Sequence, residues 1–437
     1  VPFETIDSPA IARSLAQIAD QPEDLADVFF ERREEIELPA DDDTPGLRVW
    51  RESGLAVRLL RGGRSWLAGR DEITAEALRD AIRRAARARP RAPYPEPKID
   101  VPPWDDRPSA PEVLEFPAAL QRAVRAHHGK FTPRLAVRRH RRWVRVVGSR
   151  FASDAENESF YSLSAEIGDA RFGTLLTELG ETAAERVAGD LVHLHKAAGA
   201  EPPERWGGPV VLGAHATAVL LHEAVAHALE ADTLGLAGHP EAAIGVEMGP
   251  AGLDVLDDPS TAPEPVRRSA DDEGFPVFRR WLLRGGVVEQ PLCDSSWALG
   301  SETLVAGAGR RSGRHLPPVP RSSHLELRAG EHPFPELLHD AEGGLFFAEA
   351  ERGHLDPLSG RFVLRFAYGR RIENQLPGSP VGPATLRGHV ADLLGAIAGI
   401  GQDLRSTGAG WCAKGGVKLP VWATVPALRL EGVEVVP

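Results

Sequence analysis

Two histidines and a carboxylate interrupt a run of otherwise apolar residues. In LLHEAVAHALEAD, residues 221–233, His222, Glu223 and His227 stand among Ala, Val and Leu. Residues 214–229 are rich in strong helix formers and hold neither Pro nor internal Gly, which predicts a helix. The run is apolar on nearly every face, so the helix should be buried. Buried polar groups need partners. For a pair of imidazoles, a metal ion is one.

The pattern is His-Glu-x-x-x-His, one residue longer than the zinc-protease spacing that puts two histidines at i and i+4 on one helix face. At i and i+5 the rings would stand roughly 140° apart on an ideal helix. A π-bulge or a helix end between them would bring them together. On spacing alone, a metal pair and a satisfied core pair both stay open.

A catalytic zinc site takes three protein ligands and keeps a position for water. Cys412, in GAGWCAKGG, is a candidate third ligand, because it is read as lying in a Gly-flanked loop that lets the backbone approach closely. An inert buried thiol is the alternative, and Cys293 in EQPLCDSSWALG is read that way. Glu223 would act as general base toward a metal-activated water, or serve as the buried partner of a histidine or arginine. Glu230 and Asp232 are read as ordinary helix-end carboxylates, with a role in orienting the histidines as the alternative. His215, seven residues before His222, is read as a surface or capping residue.

The elements that must position these residues follow from composition and pattern. With 437 residues the chain exceeds one ordinary core, and two or three domains are expected. We place them at 1–107, 108–204 and 205–437. Net charge is −12, which opposes a general role on nucleic acid or anionic membrane. Residues 134–153, RLAVRRHRRWVRVVGSRFAS, are strongly basic; their alternation reads as a strand with a cationic solvent face. Helices are expected over 8–28, 74–89, 111–130, 183–200 and 390–404. A hairpin should turn at Gly62-Gly63, and the Pro-rich 90–111 should be a linker or crossing segment. Helices and mostly antiparallel strands come in separate runs, so the fold class is α+β, with a larger C-terminal domain carrying the buried helix. Two distant cysteines do not suggest a disulfide framework. No apolar stretch reaches the length of a membrane span, and the first residues lack a basic region followed by an apolar one; a cytoplasmic protein is expected.

At HEAVAHALEAD the chain resembles the TldD/PmbA family of metallopeptidases. The resemblance extends to VLDDP at 255–259, DDEGFPVFRRWLLRGGVVEQ at 271–290, GHLDPLSGRFVLRFAYGRRIENQ, GWCAKGGVKLPVWATVPALRLEGVEV and, before the helix, DLADVFFERREE and GLAVRLLRGGRSWLAG. It implies zinc held by His222, His227 and Cys412, with Glu223 catalytic. It also implies peptidase activity on peptides, leader segments or unfolded chains, and a dimer, either of identical subunits or with a paralogue lacking the motif. A catalytically silent subunit that binds peptides or a partner is the alternative. Where family members usually show HEAxGHxLEGD, this chain has Ala226 and Ala231 in place of glycines. Alanine tolerates a helical bulge, so the site is expected to survive.

Overall fold

The N-terminal half is organised by two long strands of opposite charge. β1 (Leu25–Leu38) carries ERREEIE and β4 (Arg134–Gly148) carries RRHRRWVR; they pair antiparallel along most of their length. β2 (Arg48–Arg61), β3 (Arg64–Arg70), β5 (Glu156–Ile167) and β6 (Ala170–Leu176) complete one antiparallel sheet in the order β3-β2-β1-β4-β5-β6. The computed structural model describes residues 3, 5–40, 46–86, 97–105, 109–153, 156–168 and 170–437. The segments expected as separate domains, 1–107 and 108–204, each contribute three strands to this single sheet; the 107/108 boundary lies outside the described residues. Much of the expected linker, and the end of the helix expected over 74–89, also lie outside them.

Local chemistry accounts for the helices. α1 (Ser8–Ala16) is capped by Asp7, whose carboxylate accepts from the Ala10 amide, but it ends well short of the expected residue 28. Pro22 lacks an amide hydrogen and disfavours helix at Gln21, and from Leu25 the chain joins β1. α2 (Ala75–Ala86) takes its cap from Thr74, as the sequence suggests. α3 (Pro111–Ala126) and α4 (Glu181–Ala197) pack Phe116, Leu120, Val187 and Leu191 against Val137 and Leu163 of the sheet.

The basic face of β4 is not a solvent face. Arg138 pairs with Glu35 and Glu37, Arg139 with Glu34 and Glu112, and Arg142 with Glu31. Arg139 and Arg142 are buried. The register of β1 against β4 decides this, because it sets acidic side chains beside basic ones.

Residues 205–437 form two six-stranded sheets, a four-stranded sheet and a short two-stranded ribbon around the largest apolar core. Two of the strand pairs in these sheets are parallel, His324–Leu327 with Val417–Val425 and Leu345–Phe347 with Val210–Leu212; the others are antiparallel. The helix expected over 390–404 covers only Val390–Gly395. Gly395, Gly399 and Gly401 weaken it, and Ile397–Ile400 instead pairs with Leu428–Leu430. Buried ion pairs lock this half to the N-terminal sheet. Arg58 of β2 bridges Asp27 and Glu273 at 2.6 Å each. Asp272 meets Arg142 of β4 at 3.3 Å, and Glu158 of β5 meets Arg268 at 3.0 Å. None of the described helices is long and apolar enough to cross a membrane.

Candidate metal centre

The predicted helix begins where the sequence suggests and then changes its pitch. α5 (Ala214–Leu221) is α-helical, His222–Ala226 is a π-helical turn, and His227–Leu229 is a 3₁₀ turn. The His227 amide donates to the His222 carbonyl, the i+5 to i bond of a π turn. The extra residue per turn returns His227 to the side of His222, and the two rings stand 4.4 Å apart, centre to centre. Ala226 adopts φ −62°, ψ −55°, a right-handed conformation with no need of glycine. α5 and the π turn are buried apart from part of Ala214 and Glu223, as their apolar composition implies.

Cys412 comes from the other end of the chain. It lies in the strand Arg405–Lys414, opposite Leu419 of Val417–Val425, and not in a loop as its glycine neighbours suggested. Those glycines instead make a bulge between Gly408 and Gly410 and the hairpin turn at Gly415 and Gly416, where φ is +62° and +79°. The Cys412 Sγ stands 3.4 Å from His227 Nε2. Donor atoms of His222, His227 and Cys412 all lie within 4.8 Å of one another, the one such group of three among the described residues.

The remaining ring atoms are tied back. His227 Nδ1 is 2.9 Å from Glu230, and His222 Nδ1 is 3.4 Å from the Ser322 hydroxyl. His222 Nε2 is buried with no hydrogen-bond partner. Burial first, and then the neighbouring His227, push the His222 imidazole well below its ordinary range, which leaves a neutral ring with a free lone pair. An orphaned imidazole nitrogen, a second imidazole and a thiol in contact suit a borderline-soft ion, so the residues present fit a metal.

Glu230 is not the ordinary helix-end carboxylate the sequence favoured. It is fully buried and also meets Arg321 at 3.2 Å and Lys414 at 2.5 Å. Burial alone would raise its carboxyl, but His227, Arg321 and Lys414 outweigh that and hold it at about 2. Asp232 bonds the same two cations and does not touch the histidines. Arg321, Ser322 and Lys414 were not singled out in the sequence; Lys414, two residues from Cys412, was the visible hint.

Glu223 lies against the strand Arg352–Leu355, where Gly353 leaves room for its side chain. Burial raises its carboxyl above the ordinary value, against the pull of His227 and His354. His215 joins no ligand group: its Nδ1 accepts from the Ala350 amide and lies 3.0 Å from Glu349. Cys293 is buried among Ala231 and Leu304, and burial pushes its thiol up to about 12.

An α+β chain of this fold has counterparts among known proteins. The family model described as "PmbA/TldA metallopeptidase C-terminal domain" matches residues 207–437, and "PmbA/TldA metallopeptidase domain 1" matches 26–89. The chain belongs to the TldD/PmbA family. A "Metalloprotease TldD homolog" of Buchnera aphidicola subsp. Acyrthosiphon pisum is 28% identical over 230 residues, 52% of this chain and 47% of that protein. A "Metalloprotease" of Methanothermobacter thermautotrophicus is 30% identical over 260 residues, 59% of this chain and 54% of that one. The chain thus spans about half the length of the curated relatives it matches. Among solved structures, TldE from Thermococcus kodakarensis superposes with a TM-score of 0.72 at 17% identity, covering 98% of this chain and all of that one, which shows the shared fold.

Proposed function

We propose that this chain is a zinc-dependent peptidase that hydrolyses peptide bonds in short peptides or unfolded segments. The observation that carries the reading is the convergence of His222, His227 and Cys412 donor atoms beside Glu223, with His222 Nε2 left without a partner. The metalloprotease names of its relatives support it. His222 and His227 would hold the ion through Nε2, and Cys412 through Sγ. When bound, zinc supplies Lewis-acid polarisation of the scissile carbonyl and a water of lowered pKa.

The chain's own residues do the rest. Glu223 accepts the proton of the attacking water and delivers it to the leaving amine. Burial raises its carboxyl, which makes it a stronger base than an exposed glutamate. Glu230, clamped by Arg321 and Lys414, fixes the orientation and tautomer of His227. We further propose a dimer, of identical subunits or with a paralogue lacking the motif. The test is zinc content together with cleavage of an unstructured peptide, in the parent and in Glu223→Gln. Zinc with cleavage in the parent, and zinc without cleavage in the variant, is the expected result. Zinc without cleavage in both would favour a silent binding subunit.

A further inference from the structure

The N-terminal sheet has two faces, and they differ in how their charges are met. Glu31 of β1 accepts from the Arg314 amide and pairs with Arg142, so the face it shares with Arg33 and Glu35 turns toward the C-terminal half. Arg32, Glu34 and Ile36 turn the other way. The register puts Arg51 of β2 and Arg141 of β4 on either side of Glu34, Trp143 beside Arg32, and Arg139 beside Ile36. A cavity of about 560 Å³ opens between these side chains and residues 102–105.

The charges around this cavity do not balance. Glu34 serves three guanidiniums. It takes hydrogen bonds from Arg51 at 3.0 and 2.8 Å and from Arg139 at 3.4 Å, and it stands 3.9 Å from Arg141, too far for a hydrogen bond. Arg139 also pairs with Glu112, beside the cavity. Arg32 has no carboxylate within ion-pair distance among the described residues, although it is only 5% exposed. Its Nη1 donates to the Pro102 carbonyl at 2.7 Å, and its guanidinium lies 3.7 Å over the Trp104 ring. Stacking covers a face of the guanidinium, but its donors lie in the plane, and Nε and Nη2 have no partner among the described residues. Burial first, and then Arg51, lower the Arg32 guanidinium below its ordinary range. Asp105 also lines the cavity and pairs with none of these arginines. Even counting it, four guanidiniums meet three carboxylates.

What is lacking is a single negative charge whose acceptors lie in one plane. A carboxylate meets both conditions: it is a monoanion at neutral pH, and its two oxygens match the fork of a guanidinium. Arg32 and Arg141 are diagonal neighbours across β1 and β4, roughly 7–8 Å apart at the backbone, so one carboxylate can accept from both. Trp143, its ring at 63° to that of Trp104, and Pro103 give the cavity an apolar wall. We propose that this cavity binds the carboxylate of an aromatic or other apolar acid, with Arg32 and Arg141 as donors and the Trp143 ring against the apolar body. The site lies on the sheet face turned away from the half that holds the metal cluster, and it depends on neither zinc nor peptide cleavage.

The test is calorimetric binding at neutral pH to the zinc-loaded full chain carrying Glu223→Gln, which keeps peptide probes intact. The probes are 3-phenylpropanoate, its uncharged amide and phenyl phosphate. Saturable binding of 3-phenylpropanoate is expected, at least about tenfold weaker for the amide. Adding Arg32→Gln or Arg141→Gln should each weaken it about tenfold and leave zinc content unchanged, whereas a carboxylate held at the zinc would be indifferent to both. The Arg141 side chain is 41% exposed, so Arg141→Gln keeps the test if Arg32→Gln fails to fold. An acetylated pentapeptide of four alanines ending in phenylalanine with a free carboxylate separates the sources: tighter binding than 3-phenylpropanoate points to a peptide C-terminus, equal or weaker binding to a free acid, and both support the site. No binding of 3-phenylpropanoate, equal binding of the amide, tighter binding of phenyl phosphate, or undiminished binding by either variant that folds would overturn it.

Discussion

Gly353 sits where a single methyl group should disable the proposed base and spare the metal ligands. A Cβ on Gly353 would overlap Cγ of Glu223 and stand 3.1 Å from its Cδ and 3.2 Å from Val219 Cγ1. Ordinary contact begins at 3.4 Å. Val219 belongs to buried α5 and has little room to give, so the Glu223 carboxylate must move, by on the order of 1 Å. A misplacement of that size at a reacting group costs about 10²-fold in rate, or roughly 2.7 kcal/mol of barrier. His222, His227 and Cys412 lie outside this contact, so metal content should stay as in the parent. The assay is kcat on an unstructured peptide in parent and Gly353→Ala, with zinc measured by mass spectrometry on the same samples. A fall in kcat of about 10²-fold with unchanged zinc is expected. Full activity in the variant would refute the placement of Glu223 as base, and loss of zinc in place of kcat would refute the claim that the strand supports the base alone.

Further predictions follow from the same geometry. Cys412→Ser should lose most of its zinc under mild chelation, whereas Cys293→Ser should keep it; equal retention by both would remove Cys412 from the ligand set. Glu230→Gln should weaken zinc binding by about 10–100-fold without unfolding the chain, read by competition with a chelator and by circular dichroism. Burial alone would raise the Glu158 carboxyl, but Arg268, Arg310 and Arg142 outweigh it and hold it at about 2. With the folded value below the unfolded one, the unfolded chain takes up the proton first, so stability falls as pH drops from about 4.5 toward 2. Urea midpoints across that range should fall more steeply for the parent than for Glu158→Gln, and parallel slopes would contradict the assignment. Because Arg138, Arg139, Arg141 and Arg142 of β4 are paired with carboxylates of β1, duplex DNA should show no saturable, salt-dependent binding in a mobility-shift titration.

The sequence by itself determined the class of fold and pointed to the candidate metal-binding residues. An apolar helix interrupted by His222, Glu223 and His227 could be read directly, because apolar helix formers fix a buried helix and buried imidazoles need partners. Alternation and Gly-Gly turns announced the antiparallel hairpins for the same local reason. The i to i+5 spacing even stated what the backbone would have to do, and the π turn does it. What depends on residues far apart in the chain was decided by the tertiary structure. Cys412 looked like a loop cysteine because its glycines were visible and its partner strand was not. Glu230 looked like a helix-end carboxylate because Arg321 and Lys414 are about ninety and a hundred and eighty residues away. The basic run at 134–153 looked cationic because charge counted along one strand omits the strand beside it. Residues 396–400 looked helical until the strand Leu428–Leu430 offered their amides and carbonyls a ladder. Local propensity acts over a few residues, while pairing, burial and charge compensation act through space, and in these places the through-space terms are the larger ones.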